Sequence, residues 1–169
     1  MKRGATGLGA ALLLSGFGAT FASGQEIIRH AIPGSSFPIS RAVEIPGNAT
    51  VIYLSGAVPS ALNAAADASA PDAFGNTEAQ TVSVLKSIEA TLSNLNLQMG
   101  DVFRMQVFLV APDGADAMDF AGFMAGYTQF FGTETQPHLP VRSVFEVAGL
   151  ANPAWLVEIE VTAVRPVAP

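Results

Sequence analysis

Two stretches of this chain place apolar residues at steps of three and four, and five shorter stretches read as strands. Val82, Leu85, Ile88, Leu92 and Leu95 follow the helical step. Thr77-Glu78-Ala79-Gln80 precedes them as a capping box, and Met99-Gly100 marks the predicted stop. A second helix is predicted over Asp119 to Phe131, where Phe120, Phe123, Met124, Tyr127, Phe130 and Phe131 share a face, with Gly132 ending it. Their arrangement indicates packing onto a sheet. Arg41 to Ile45 and Thr50 to Leu54 read as a hairpin around Pro46-Gly47-Asn48. Val102 to Val110 reads as a central strand. Pro140 to Val147 and Leu156 to Val164 read as the last two.

The order β, β, α, β, α, β, β predicts an α+β domain, a mixed sheet with two helices packed on one face. The other sheet face stays apolar, and a small domain usually covers such a face by oligomerising. Residues 25–36 read as a polar, turn-rich lead-in and 37–169 as the domain. An Ala-, Asp-, Pro- and Gly-rich insertion, residues 57–76, interrupts it. Residues 1–24 have the order of a secretory signal peptide: Lys2 and Arg3, then a short apolar run centred on Leu12 to Leu14, then small residues before Gln25. The run is too short and Gly-rich for a good membrane span. The expected location is therefore periplasmic or secreted, with no stable membrane association after cleavage.

Composition narrows the function. The chain has 169 residues, 50% of them hydrophobic and 13% charged, with a formal net charge of −6. Removal of Lys2 and Arg3 would take it to −8 (−6 − 2). No basic stripe exists to neutralise phosphates, so nucleic acid is not an expected partner. Cysteine is absent, which excludes disulfides, thiolate metal sites and Cys nucleophiles. His30 and His138, the two histidines, are isolated, and no metal site or cofactor is predicted.

Two charges interrupt otherwise apolar strands. Arg142 is at the mouth of Pro140-Val141-Arg142-Ser143-Val144-Phe145, and Glu158 lies inside Val157-Glu158-Ile159-Glu160. A charge in such a setting costs free energy unless it is paired or used. They supply a guanidinium able to grip a carboxylate through two parallel hydrogen bonds and a carboxylate able to steer a water. A cross-strand ion pair, or a salt bridge between subunits, is the structural alternative. Glu160 shares the parity of Glu158 and is expected on the same sheet face.

These residues carry a resemblance. Leu54-Ser55-Gly56, Gly100-Asp101-Val102, Asp119-Phe120, Tyr127 with Phe130-Phe131, Pro140-Val141-Arg142-Ser143 and Val157-Glu158-Ile159-Glu160, in this order and spacing, resemble the Rid/YjgF family of small enamine and imine deaminases. The resemblance runs from about Phe37 to Arg165. It implies a chorismate-mutase-like fold and a homotrimer with active sites in the clefts between subunits. It further implies that Arg142 grips the substrate carboxylate, that Glu158 holds the attacking water, and that the backbone of Ser55-Gly56 lines the pocket. Three expected substrate-binding positions are more apolar here than is usual in the family: Ile39, Met124 and Val144.

The expected function is hydrolytic deamination of reactive 2-imino or enamine acids to 2-keto acids and ammonia, with a small carboxylate as substrate. A non-catalytic carboxylate-binding trimer of the same fold is the alternative from a different class. A holdase-like protein using exposed apolar surface is another.

Overall fold

The computed structural model describes Met1 and residues 26–62, 70 and 73–165. The predicted signal peptide and most of the central part of the 57–76 insertion lie outside the described residues. The elements are β1 (Ile28–Ala31), β2 (Ser40–Glu44), β3 (Thr50–Tyr53), α1 (Thr77–Asn94), β4 (Val102–Leu109), α2 (Phe120–Tyr127), β5 (Val141–Glu146) and β6 (Val157–Arg165). The fold is α+β, as the pattern predicts.

Four strands form a mixed sheet in the order β3-β6-β4-β5, with β4 and β5 parallel and the other pairs antiparallel. One face is covered by the helices. Val84, Leu85, Ile88 and Leu92 of α1 and Phe123 and Tyr127 of α2 pack with Met105, Val107 and Leu109 of β4 and Val157, Ile159 and Val161 of β6 in one buried cluster. Each such side chain taken from water contributes about 1.5–3 kcal/mol before entropy is counted. The alternation along β4 decides which residues face the helices. Met105, Val107 and Leu109 are buried, while Gln106 and Phe108 are only half-buried on the open face.

Two expectations about the strands are overturned. Residues 28–31, read as lead-in, form β1 and pair antiparallel with β2. The predicted hairpin between 41–45 and 50–54 does not form. After Glu44 the chain turns through Pro46, whose carbonyl accepts from Ala49 N at 3.0 Å. β3 then pairs with the last strand, Thr50 opposite Arg165 and Tyr53 opposite Thr162. Local turn chemistry at Pro46-Gly47-Asn48 is compatible with both pairings, so the choice falls to β6, the longest strand.

The helix ends also shift. Asn76, not Thr77, caps α1, its Oδ1 accepting from Ala79 N at 2.9 Å. Gln80 does not close a capping box. It is buried, donates to Gly75 O and Ala154 O, both at 3.0 Å, and accepts from Leu156 N at 2.7 Å, pinning α1 to the approach of β6. α1 stops before Asn96, which takes the left-handed conformation at φ 55°, so Met99-Gly100 belongs to a separate 3-10 turn. Asp119 is the cap of α2, accepting from Gly122 N at 2.8 Å, and the helix ends at Tyr127 rather than Phe131.

The helices cross closely at Gly126. A Cβ there would lie 2.7 Å from Thr81 Cβ, so only glycine admits this approach. The crossing holds α2 where its next residue, Tyr127, meets Arg142.

Candidate active site

β5 is an edge strand of the four-stranded sheet, and its first turn of chain is tied to β2. Ser40 N donates to Pro140 O at 2.9 Å and Ser40 Oγ to Leu139 O at 2.6 Å. This fixes the loop before β2, with Phe37, Pro38 and Ile39, beside Arg142.

Arg142 faces the helices, because it lies opposite Met105, an inward residue of β4. Its guanidinium carbon is 4.2 Å from the centroid of the Tyr127 ring, 5.0 Å from Phe123 and 5.5 Å from Phe37. Ring faces attract a cation, and more strongly where water is excluded. Nη2 lies 3.2 Å from Met124 Sδ, a weak acceptor, and Nη1 is buried without a hydrogen-bond partner among the described residues. Burial lowers the guanidinium's pKa from its ordinary value, with Tyr127 opposing the shift. The Tyr127 hydroxyl donates to Pro38 O at 2.9 Å, joining the cage floor to the Phe37–Ile39 loop. Burial pushes its pKa up to about 12, with Arg142 opposing.

Arg142 and Ile39 also line a cavity of ≈ 340 Å³ shared with Ser40, Arg41, Arg104 and Ser143. Val144, two residues along β5, is half-buried against the core on the same sheet face as Arg142. Four of the predicted site residues, Arg142, Ile39, Met124 and Val144, thus belong to one neighbourhood.

Glu158 belongs to another. It lies opposite Phe108, on the open face of the sheet, and Glu160 lies opposite Gln106 on that same face. Arg142 and Glu158 are two strands apart laterally and three residues apart along β4, about 14 Å between backbones by standard strand spacing, with their side chains on opposite faces. The cross-strand ion pair allowed by the sequence does not form within a chain. Ser55 and Gly56 accompany Glu158. Ala57 bridges to Ile159, and a Cβ on Gly56 would collide with the Glu158 carboxylate, so that carboxylate rests directly on the glycine backbone.

Sequence reasoning missed Phe37, Arg41 and Arg104 as neighbours of Arg142, and placed Phe123 and Tyr127 in the core only. Arg104 carried a signal, being a second arginine inside an apolar strand run. Phe37 carried none, since its place over the guanidinium depends on the Ser40–Pro140 junction. Trp155 packs edge-on to Phe74, ring centroids 6.2 Å apart, in a small cluster of its own. His30 Nε2 is 2.7 Å from Glu44 Oε1 across the β1-β2 ribbon, and both side chains are exposed.

Known structures resemble this fold. YyfB, a Rid-family protein of unknown function from Yersinia pestis, is 26% identical, with a TM-score of 0.58 over 80% of this chain and 96% of its own. A YjgF-family member from Neisseria meningitidis is 26% identical, with a TM-score of 0.53 over 86% and 99% of the two chains. The E. coli protein TdcF, solved with bound serine, is 26% identical, with a TM-score of 0.52 over 83% and 98%. The family model described as Endoribonuclease L-PSP matches residues 20–165, so this chain belongs to the YjgF/Rid family.

Proposed function

We propose that this protein hydrolyses reactive 2-imino or enamine acids to 2-keto acids and ammonia. The observation that carries the proposal is Arg142, a caged guanidinium whose buried Nη1 finds no hydrogen-bond partner among the described residues. An unsatisfied charged donor is costly, and a carboxylate offers the paired acceptors that guanidinium geometry fits. The bound serine of TdcF, itself an amino acid with a carboxylate, supports a small carboxylate as ligand.

A 2-imino acid places its carboxylate next to an electrophilic C=N carbon. Held by Arg142, that carbon is presented to water in a fixed orientation. Water adds to the carbon as a carboxylate takes its proton. That proton passes to nitrogen, giving a carbinolamine; its hydroxyl proton then moves by way of the carboxylate to nitrogen as the C–N bond breaks, and a C=O bond and ammonia result. Glu158 is the proposed base, positioned by its contact with Gly56. Because Arg142 and Glu158 occupy opposite sheet faces, a site that uses both draws them from two copies of the chain. This favours the homotrimer with sites between subunits. The open face fits such packing, with Tyr53 78% and Phe145 43% exposed on it. Met124, Ile39 and Val144 would exclude stray water around the imine. Export through residues 1–24 is part of the proposal.

The same separation gives the second reading its footing: a trimer that binds carboxylates at Arg142 without turnover. The RNA cleavage implied by the family model's description fits less well with a net charge of −6.

The test generates 2-iminobutyrate in situ and times keto-acid release with wild type, Arg142→Ala and Glu158→Ala. Acceleration that both substitutions abolish supports hydrolysis. A folded, ligand-binding wild type with no acceleration selects the binding-only reading.

A further inference from the structure

The open face of the sheet carries charges of both signs that stay unpaired within the chain. Glu158 and Glu160 lie on β6, opposite Phe108 and Gln106, and Arg104 lies on β4, opposite Thr162. Arg104 and Arg41 of β2, both exposed, line the ≈ 340 Å³ cavity beside β5 with Gln106 and Ser143, and no Asp or Glu lines it. Arg142 borders the same cavity, but its guanidinium is turned toward the helices and takes no part. Among the described residues, the side chains of Arg41, Arg104, Glu158 and Glu160 make no hydrogen bond or ion pair.

Arg104 and Glu160 are diagonal neighbours across β4 and β6, about 7–8 Å apart, yet they do not pair. In water such a pair gains little, so nothing holds it together. Covering the face changes this, because a charge taken from water is costly until it meets its opposite. The face is built to be covered: Phe108 and Phe145 stack with ring centroids 5.9 Å apart, and Phe145 and Tyr53 are exposed on it. A second copy of the chain supplies the missing anion. Glu158 is held against the Gly56 backbone, whereas Glu160, two residues along on the same face, has no such seat. Two arginines without a counter-ion raise the local positive potential, which an incoming carboxylate relieves. Their guanidinium groups, with the Ser143 hydroxyl and Gln106 amide as further donors, match that carboxylate.

We propose that the hollow between Arg41 and Arg104 is the socket for the Glu160 carboxylate of a second copy of this chain, a contact that sets how the copies register on one another. The inference rests on the reading of a site shared between copies and deepens it, since Glu158 is carried to the same junction by the strand that carries Glu160.

The absence of cysteine lets the contact be read directly. Ser143→Cys and Glu160→Cys proteins, which keep both arginines, are mixed equally, unfolded and refolded together, and treated with a short bis-maleimide. Covalent dimers holding one chain of each kind should form, and should be lost when either variant is treated alone. In a second arm, Glu160→Arg should shift the mass in solution toward monomer, and Arg41→Glu/Arg104→Glu added to the same chain should restore the assembly. An assembly of unchanged mass that gives no mixed crosslink would overturn the proposal. So would equal crosslinking by one variant alone, which would place like residues together. Binding of inorganic phosphate by assembled wild type, abolished in Arg41→Gln/Arg104→Gln with the assembly intact, would also overturn it and assign the hollow to a free anion. The shared-site reading fails separately: an oligomer that gives the mixed crosslink but does not hydrolyse the imine supports the socket and removes the hydrolysis. A wild type that is monomeric in solution overturns both.

Discussion

The Tyr127 ring lies 4.2 Å from the Arg142 guanidinium carbon, and the same side chain's hydroxyl holds Pro38 O at 2.9 Å. One residue of α2 thus orients both the cation and the loop that carries Phe37 and Ile39. The two roles separate by substitution. Tyr127→Phe keeps the ring and releases the loop, at a cost of about 1 kcal/mol. Tyr127→Leu removes the ring and should cost more, roughly 2–4 kcal/mol, and weaken carboxylate binding as well. Melting curves beside calorimetric titration with 2-oxobutyrate distinguish them. Equal binding by both variants would show that the ring does not orient Arg142.

Tyr127 also predicts an alkaline limit. Its folded-state pKa is raised to about 12 from the ordinary tyrosine value near 10, chiefly by burial. Below pH 10 both folded and unfolded forms hold the proton, and this stabilisation is fully present. Between pH 10 and 12 the unfolded form ionises first, binds fewer protons, and stability falls by about 2–3 kcal/mol. Tyr53→Phe leaves Tyr127 as the sole tyrosine, so its ionisation can be followed near 295 nm. A midpoint close to 10 in the folded protein would contradict the burial argument.

The proposed site, with Arg142 and Glu158 drawn from separate chains, makes complementation a measurable test. Arg142→Ala and Glu158→Ala proteins, each inactive alone, are unfolded together, mixed equally and refolded. In randomly mixed trimers about one site in four has both residues intact, so about a quarter of wild-type activity should return. No recovery, with mixed trimers demonstrated by mass, would rule out a site shared between copies.

The contact between Gly56 and the Glu158 carboxylate predicts that Gly56→Ala displaces that carboxylate. Imine hydrolysis should fall by at least about tenfold while the melting temperature and carboxylate affinity change little, since Arg142 lies on the other sheet face. Unchanged turnover would remove Glu158 from the proposed mechanism.

Gly126→Ala tests the helix crossing. Alanine is the better helix former by roughly 1 kcal/mol, yet its Cβ would press on Thr81. Overpacking should win, with a net loss of about 1–3 kcal/mol. Thr81→Ala in the same chain should recover part of it. A Gly126→Ala protein more stable than wild type would show that α1 separates easily from α2.

The sequence by itself determined what depends on neighbours along the chain. The three-and-four step located both helices, β4 to β6 followed from apolar runs and turn residues, and arginine and glutamate inside those runs flagged Arg142 and Glu158. Tertiary structure decided what depends on distant partners. Ile28-Arg29-His30-Ala31 has no strong strand signature and becomes β1 only because β2 is there to pair with it. β3 chose β6 over its neighbour in sequence. Most of all, register decided which face each charge occupies. A strand's side chains alternate, so a shift of one residue moves every one of them to the other face, and no local pattern records the partner's register. That register sent Arg142 toward the helices and Glu158 to the open face, and brought Arg104 and Arg41 to the cavity beside Ile39.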